Sequence, residues 1–311
     1  MSILSNLQAG NTNVETIKEG LFDVINVPLF TNQSKFETPE NGMYSIYKSE
    51  GGLPLSGTRA MSKDYTPQQP TFLFDSFTKC LVDNTSADLS KIKYHEMKGG
   101  AKIRFEVPVK TIEFTNMAGK KDESIISLNI QTGFDGNTAT SLYLSMFRMI
   151  CTNGMKANVT EFKSSFKNTI GNVGKIQLLC NDVTKALDTT DNLSDIITKL
   201  NSIQINTERK NEFIEKVLGI KLSERADFTT RKRNILESIE ESIALEISRS
   251  GGNLWGLLNG VTHYTNHSVK TFDAITQTSE DHQNTVNQYI FSETGEKMNS
   301  LAFNTVLQMA N

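Results

Sequence analysis

Cysteine, proline and long apolar runs are all scarce in this chain of 311 residues, and each scarcity excludes a class of protein. The three cysteines, Cys80, Cys151 and Cys180, include no Cys-x-x-Cys pair, which argues against a disulfide framework and a four-cysteine zinc site. Buried free thiols are the expectation. No stretch approaches the roughly 20 apolar residues that a membrane-spanning helix requires. Residues 1–8 also lack a basic region followed by an apolar one, so the chain reads as cytoplasmic, with no membrane partner. Three motifs are missing as well: the Gly-x-x-x-x-Gly-Lys-(Ser/Thr) loop, Gly-x-Gly-x-x-Gly after a strand, and the Gly-x-Ser-x-Gly elbow. No carboxylate pair stands in a recognisable frame. The expectation is a binding protein without a cofactor, not an enzyme.

Proline is confined to the first 108 residues. Pro39-Glu40-Asn41-Gly42, Gly51-Gly52-Leu53-Pro54 and Tyr65-Thr66-Pro67-Gln68-Gln69-Pro70 interrupt the chain too often for long helices. Residues 1–72 are expected to form an extended, loop-rich arm with a few short strands. Such segments wrap their own domain or a neighbouring subunit, and self-association is expected from this one.

Residues 73–180 read as an antiparallel, β-rich core. Lys102-Ile103-Arg104-Phe105-Glu106-Val107 alternates charged and apolar side chains at period two, the pattern of a half-buried strand. A second strand is expected from Lys110 to Asn116, then a polar turn through Lys120 and Lys121, then a third strand over residues 124–132. After the turn at Asp135-Gly136-Asn137, the apolar spacing of residues 141–150 suits either a helix or a further strand, and the second half leans to strand.

Two separated segments resemble a known family. Asp135-Gly136 is followed by Arg148-Met149-Ile150-Cys151-Thr152-Asn153-Gly154, and a hundred residues later Trp255-Gly256 opens a segment that reaches His263 and His267. In this order they resemble the phage and plasmid proteins grouped as domain of unknown function 932, whose members carry an Asp-Gly turn, then Arg-x-x-Cys-x-Asn. The resemblance covers roughly residues 95–270 and rests on Asp135, Gly136, Arg148, Cys151 and Asn153. The usual turn histidine is replaced by Phe134, so no catalytic or metal role is carried over there. What the resemblance implies is a mobile-element origin, with no established activity.

Residues 181–311 read as mainly helical, packing on the core. Leu193, Ile196, Ile197 and Leu200 mark one amphipathic helix, residues 207–218 another, and residues 229–248 the clearest. That last helix begins Arg231-Lys232-Arg233, cations that oppose the helix dipole and call for a partner, with Glu208, Glu212 or Glu224 as the expected acids. Leu254, Leu257, Leu258 and Val261 predict a core helix with Trp255 packed inside. His263 and His267 are four apart, but no third ligand accompanies them, and metal binding is not expected. Residues 288–311 should close the fold with an amphipathic helix.

The fold class is therefore α+β: an N-terminal arm, a central antiparallel sheet and a helical C-terminal half. Net charge is only −3, yet residues 91–175 hold thirteen basic side chains against seven acidic ones. A basic middle in an acidic remainder attracts phosphates locally. The plainer alternative is a set of solvated faces. Lys102, Arg104 and Lys110 would line a phosphate-tracking strand face, Lys120 and Lys121 the adjoining turn. Arg148 offers a planar fork and Asn153-Gly154 free backbone N–H groups for an anion. The favoured alternative for that pair is structural, Arg148 tying a loop and Asn153-Gly154 making a hairpin or helix stop. Single-stranded DNA is the expected partner, by analogy with phage annealing proteins built on a β-β-β-α core. A structural or host-interaction protein is the alternative.

Overall fold

A computed structural model describes residues 14–30, 40–52, 54–55, 58–97, 99–148, 153–155, 163–172, 175–265 and 293–311. The chain divides into two compact units. The first comprises residues 1–109, 127–143 and 163–187, the second residues 110–126, 144–162 and 188–311. No described helix is long and apolar enough to cross a membrane.

In the first unit, α1 (Val14–Gly20) precedes a three-stranded antiparallel sheet of β1 (Val24–Phe30), β2 (Glu40–Lys48) and β3 (Met61–Ser62), in the order β1-β2-β3. These are the short strands expected of the arm, and they bury Ile17, Val24, Ile46 and Met61. An edge strand exposes unpaired backbone groups, and β1 is blunted at two points. The Gln69 side chain accepts the Val24 N–H at 2.9 Å and donates to its carbonyl at 3.0 Å, and Pro28 has no N–H to offer.

Pro70 opens α2 (Pro70–Asn84), where its missing N–H costs nothing. Leu73, Phe74, Phe77 and Leu81 follow at helical spacing and are buried. Phe74 meets Phe105 at 5.0 Å between ring centroids. That contact places α2 on the apolar face of the second sheet. This sheet runs β4 (Lys93–Met97), β5 (Lys102–Thr115), β6 (Lys121–Gly133), β7 (Thr140–Arg148) and β8 (Asn153–Met155), with β9 (Lys163–Phe166) also paired to β7.

The two strands expected on either side of Pro108 are one, β5. Burial changes parity along it, from Ile103, Phe105 and Val107 to Ile112. Residues 140–148 resolve to a strand, with Leu142, Leu144 and Met146 buried at period two. The short helix α3 (Ile176–Asn181) packs on α2.

The second unit holds most of α4 (Val183–Ser202) and all of α5 (Thr207–Leu218), α6 (Thr230–Ser250), α7 (Leu254–His263) and α8 (Glu293–Ala310). N-caps appear where the sequence places short polar residues. Asn206, Thr229 and Asn253 accept the N–H of Arg209, Lys232 and Gly256 respectively. The basic start of α6 finds a different partner from the acids expected. Lys232 Nζ lies 4.6 Å over the Phe228 ring, Arg233 donates to the Phe228 carbonyl, and Glu212 and Glu224 instead pair with Lys216 and Lys221.

α7 is covered by α6, α8 and β8. Trp255 is 1% exposed and meets Phe114 edge-on at 5.8 Å, as a core residue should. A Cβ on Gly260 would stand 2.6 Å from Ile243 Cα, so only glycine allows α6 and α7 this approach. Phe303 and Val306 bury one face of α8, the expected closing helix.

Candidate functional site

Polar residues alternate along one face of the second sheet in the first unit. β4 and β5 pair Lys93 with Glu106, His95 with Arg104, and Met97 with Lys102. On β6, Ser127, Asn129 and Gln131 alternate with Ile126, Leu128 and Ile130, and all six are buried. Tyr143 on β7 donates to Gln131 at 3.2 Å, which puts Tyr143 on the same face as Gln131. Thr132 and Thr140 bond each other at 2.7 Å on the other face, where Asn168 joins them. The apolar alternates belong with Phe105 under α2. The remaining face carries His95, Arg104, Glu106, Asn129, Gln131 and Tyr143.

Glu106 organises the charged end of this face, 3.1 Å from Arg104 Nη2 and 3.2 Å from His95 Nε2. Burial alone would raise its pKa. The Arg104 charge, with the His95 hydrogen bond, more than offsets that and holds the carboxyl well below the ordinary range. His95 shifts down, first through burial and then through Arg104, so its neutral form is favoured. Because Arg104, Asn129, Gln131 and Tyr143 are buried, the arrangement is an internal polar face of the sheet. Sequence reasoning passed over His95, Glu106, Asn129, Gln131 and Tyr143. The signal available was a strand whose polar alternates are amides and not charges, which marks a face that is covered instead of solvated.

The Asp135-Gly136 landmark is a tied turn. Asp135 Oδ1 accepts the N–H of Asn137 at 3.0 Å and of Thr138 at 2.8 Å, while Oδ2 takes Lys102 at 3.3 Å and the Thr138 hydroxyl at 3.1 Å. Arg59 donates to the Asp135 carbonyl. Burial raises the carboxyl, but these hydrogen bonds and Lys102 bring it below its usual range. Gly136 has φ +74°, and a Cβ there would meet Met61 Sδ at 2.9 Å. Phe134, in place of the family's histidine, is fully buried.

Two of the expected phosphate contacts are occupied. Arg104 is 4% exposed and committed to Glu106, which corrects its reading as an open cation: strand alternation fixes the face but not what covers it. Lys102 is part-buried against Asp135. Lys110, part-buried, shares the parity of Ile112 and Phe114 in the second unit. Arg148 and Asn153 are direct partners in the antiparallel β7–β8 ladder, so Asn153-Gly154 starts the second strand of a hairpin and is not a helix stop. β8 in turn packs on α7, which brings the two landmarks together in the second unit. His263 Nδ1 lies 3.3 Å from Ser242 Oγ, while His267 and Cys151 fall outside the described residues. Among the described residues no group of three or more His, Cys, Asp or Glu could hold a metal.

Lys120 and Lys121 remain exposed, at the β5–β6 turn of the second unit. Asn116 fixes that turn. Its Oδ1 accepts the Lys120 N–H at 3.0 Å and its Nδ2 donates to the Arg249 carbonyl at 3.2 Å, in the last turn of α6. Asn201, at the end of α4, donates to the Thr115 carbonyl at 3.2 Å. These bonds bring the β5–β6 turn, the end of α4 and the last turn of α6 together at one end of the second unit. Lys199 is exposed and reaches Asn311, and Arg249 is part-exposed beside Glu246.

Two antiparallel sheets, a tied Asp-Gly turn and a helical C-terminal half define an α+β protein in which β8 and the Trp255 helix α7 pack together. The chain belongs to the family described as Domain of unknown function (DUF932), whose model matches residues 58–290. No curated protein and no solved structure matches the chain.

Proposed function

We propose that the protein binds single-stranded nucleic acid, without catalysis, in the replication or recombination of a phage or plasmid within the host cytoplasm. The observation that supports this is the exposed pair Lys120 and Lys121 on a turn that Asn116 holds against α6. Two cations fixed on one rigid turn offer a seat for phosphates, whose counterion release would drive binding. Self-association belongs to the same proposal, because annealing needs several copies along a strand.

The test is titration of the full-length chain with labelled single-stranded and duplex DNA at two salt concentrations, with solution mass measured alongside. Tighter binding to the single strand and a mass above the monomer are expected. The double variant Lys120→Glu/Lys121→Glu should keep its fold and weaken binding, and the logarithmic salt slope should flatten by about 0.7 for each phosphate that the variant no longer neutralises. Absence of binding by the parent at low salt overturns the proposal and leaves the structural-interaction role. A monomer throughout removes self-association.

A further inference from the structure

Met117, at the head of the β5–β6 turn, is a large apolar side chain that stands 41% exposed. A scattered apolar residue on a surface is ordinary, but this one is mounted on a closed and anchored turn. The Asn116 N–H donates to the Lys120 carbonyl and the Gly119 N–H to the Asn116 carbonyl, both at 2.9 Å. Gly119 takes φ +74°, which glycine adopts without strain. Asn116, 3% exposed, ties the turn to the Arg249 carbonyl. Gly251 has φ +94°, and a Cβ there would lie 2.7 Å from Met117 Cβ, so the root of the methionine is seated against the end of α6. Lys120 and Lys121 follow and are exposed, whereas Asp122 is 1% exposed and accepts the Glu123 N–H. The exposed charge of residues 116–122 is therefore positive.

We propose that Met117 is the base-contacting residue of this turn, its side chain packing on the face of an unpaired base while Lys120 and Lys121 hold the flanking phosphates. This role rests on the nucleic-acid binding proposed above and adds the reason a single strand is preferred. A thioether is polarisable and packs well on aromatic rings, and every base has such a face, so the contact carries no sequence preference. In a duplex each base face is covered by its stacked neighbours, and an apolar wedge must first unstack them. A nucleic-acid strand alternates anionic phosphates with apolar base faces, and an apolar tip flanked by two cations is the complement of that pattern. Because the turn is already fixed, little freedom is lost on binding.

The full-length chain is titrated with a labelled single-stranded oligonucleotide and with one of the same length built from abasic residues, which keeps the phosphates and lacks the bases. Met117→Ala retains the Cβ seated on Gly251, and it should bind the base-bearing strand roughly 3- to 10-fold more weakly than the parent, with an unchanged salt slope. The abasic strand should bind parent and variant alike. Met117→Leu, apolar and of similar volume, should keep most of the parent's affinity. Equal affinity of parent and Met117→Ala for the base-bearing strand overturns the proposal, as does an equal loss on both strands. A parent that binds neither strand at low salt overturns the nucleic-acid reading itself, and this role of Met117 with it.

Discussion

Trp255→Ala lowers the unfolding free energy of the second unit by about 3–5 kcal/mol. The indole is 1% exposed, on a helix covered by α6, α8 and β8, and its edge meets Phe114 from β5. Helices on several sides cannot collapse together into the space vacated, so the loss combines transfer and cavity terms. Gly260→Ala should approach the same cost by the opposite route. Its new methyl would press on Ile243 Cα, and backbone cannot rotate away as a side-chain tip can. Urea unfolding followed by tryptophan fluorescence reads the glycine variant, and far-ultraviolet circular dichroism reads both. A loss below about 1 kcal/mol in either would mean that α6 and α7 pack far more loosely than described.

Glu106→Gln should cost on the order of 3 kcal/mol at neutral pH, because it leaves the buried Arg104 charge without the carboxylate beside it. The wild-type chain should lose stability towards acid in two stages. His95 has a folded pKa below its unfolded value, so the unfolded chain takes up the proton first. Its contribution is whole above that unfolded value, about 6.5, and is lost as pH falls towards the folded one. Glu106 is also depressed, so its contribution is present above the unfolded carboxyl value of 4.5 and is lost as pH falls through the folded pKa. Glu106→Gln should erase the lower stage only. It also removes the group that favours protonated His95, which deepens the upper stage. Urea midpoints measured between about pH 7 and pH 3 check this, and parallel profiles for parent and variant would refute it.

Much of the architecture was readable because its signals are local. Period-two alternation over residues 102–107 marked β5, and the i, i+3, i+4 spacing of apolar residues marked α5, α6, α7 and the closing α8. Trp255 was expected in the core for the same reason. Residues 141–150 stayed open between helix and strand, since short apolar runs satisfy both periods. Ladder partners on β6, β8 and β9 settled it as β7. Pro108 looked like a break and is not one, because a strand tolerates a missing N–H where the ladder asks for none.

The site was less readable than the fold. Alternation identified Lys102 and Arg104 as facing away from the apolar core, which is correct. It could not show that Asp135 meets Lys102 there, because a turn that follows another strand becomes a neighbour only once the sheet pairs, nor that Glu106, on the face of Arg104 by the same alternation, is buried with it. Free thiols were expected of all three cysteines, yet Cys80 is disulfide-bonded, because an odd cysteine count without a Cys-x-x-Cys pair does not exclude a pairing made by the fold.

By itself, then, the sequence determined the α+β class, the helical C-terminal half, the core place of Trp255 and the family landmarks, all of which depend on residue type and spacing within a few turns. Tertiary structure alone decided that the Arg148–Asn153 ladder and the Trp255 helix are neighbours, that Arg104 is covered, and that Lys120 and Lys121 stand exposed beside Arg249. Coverage and charge pairing depend on residues far away in the chain, and no local period encodes them.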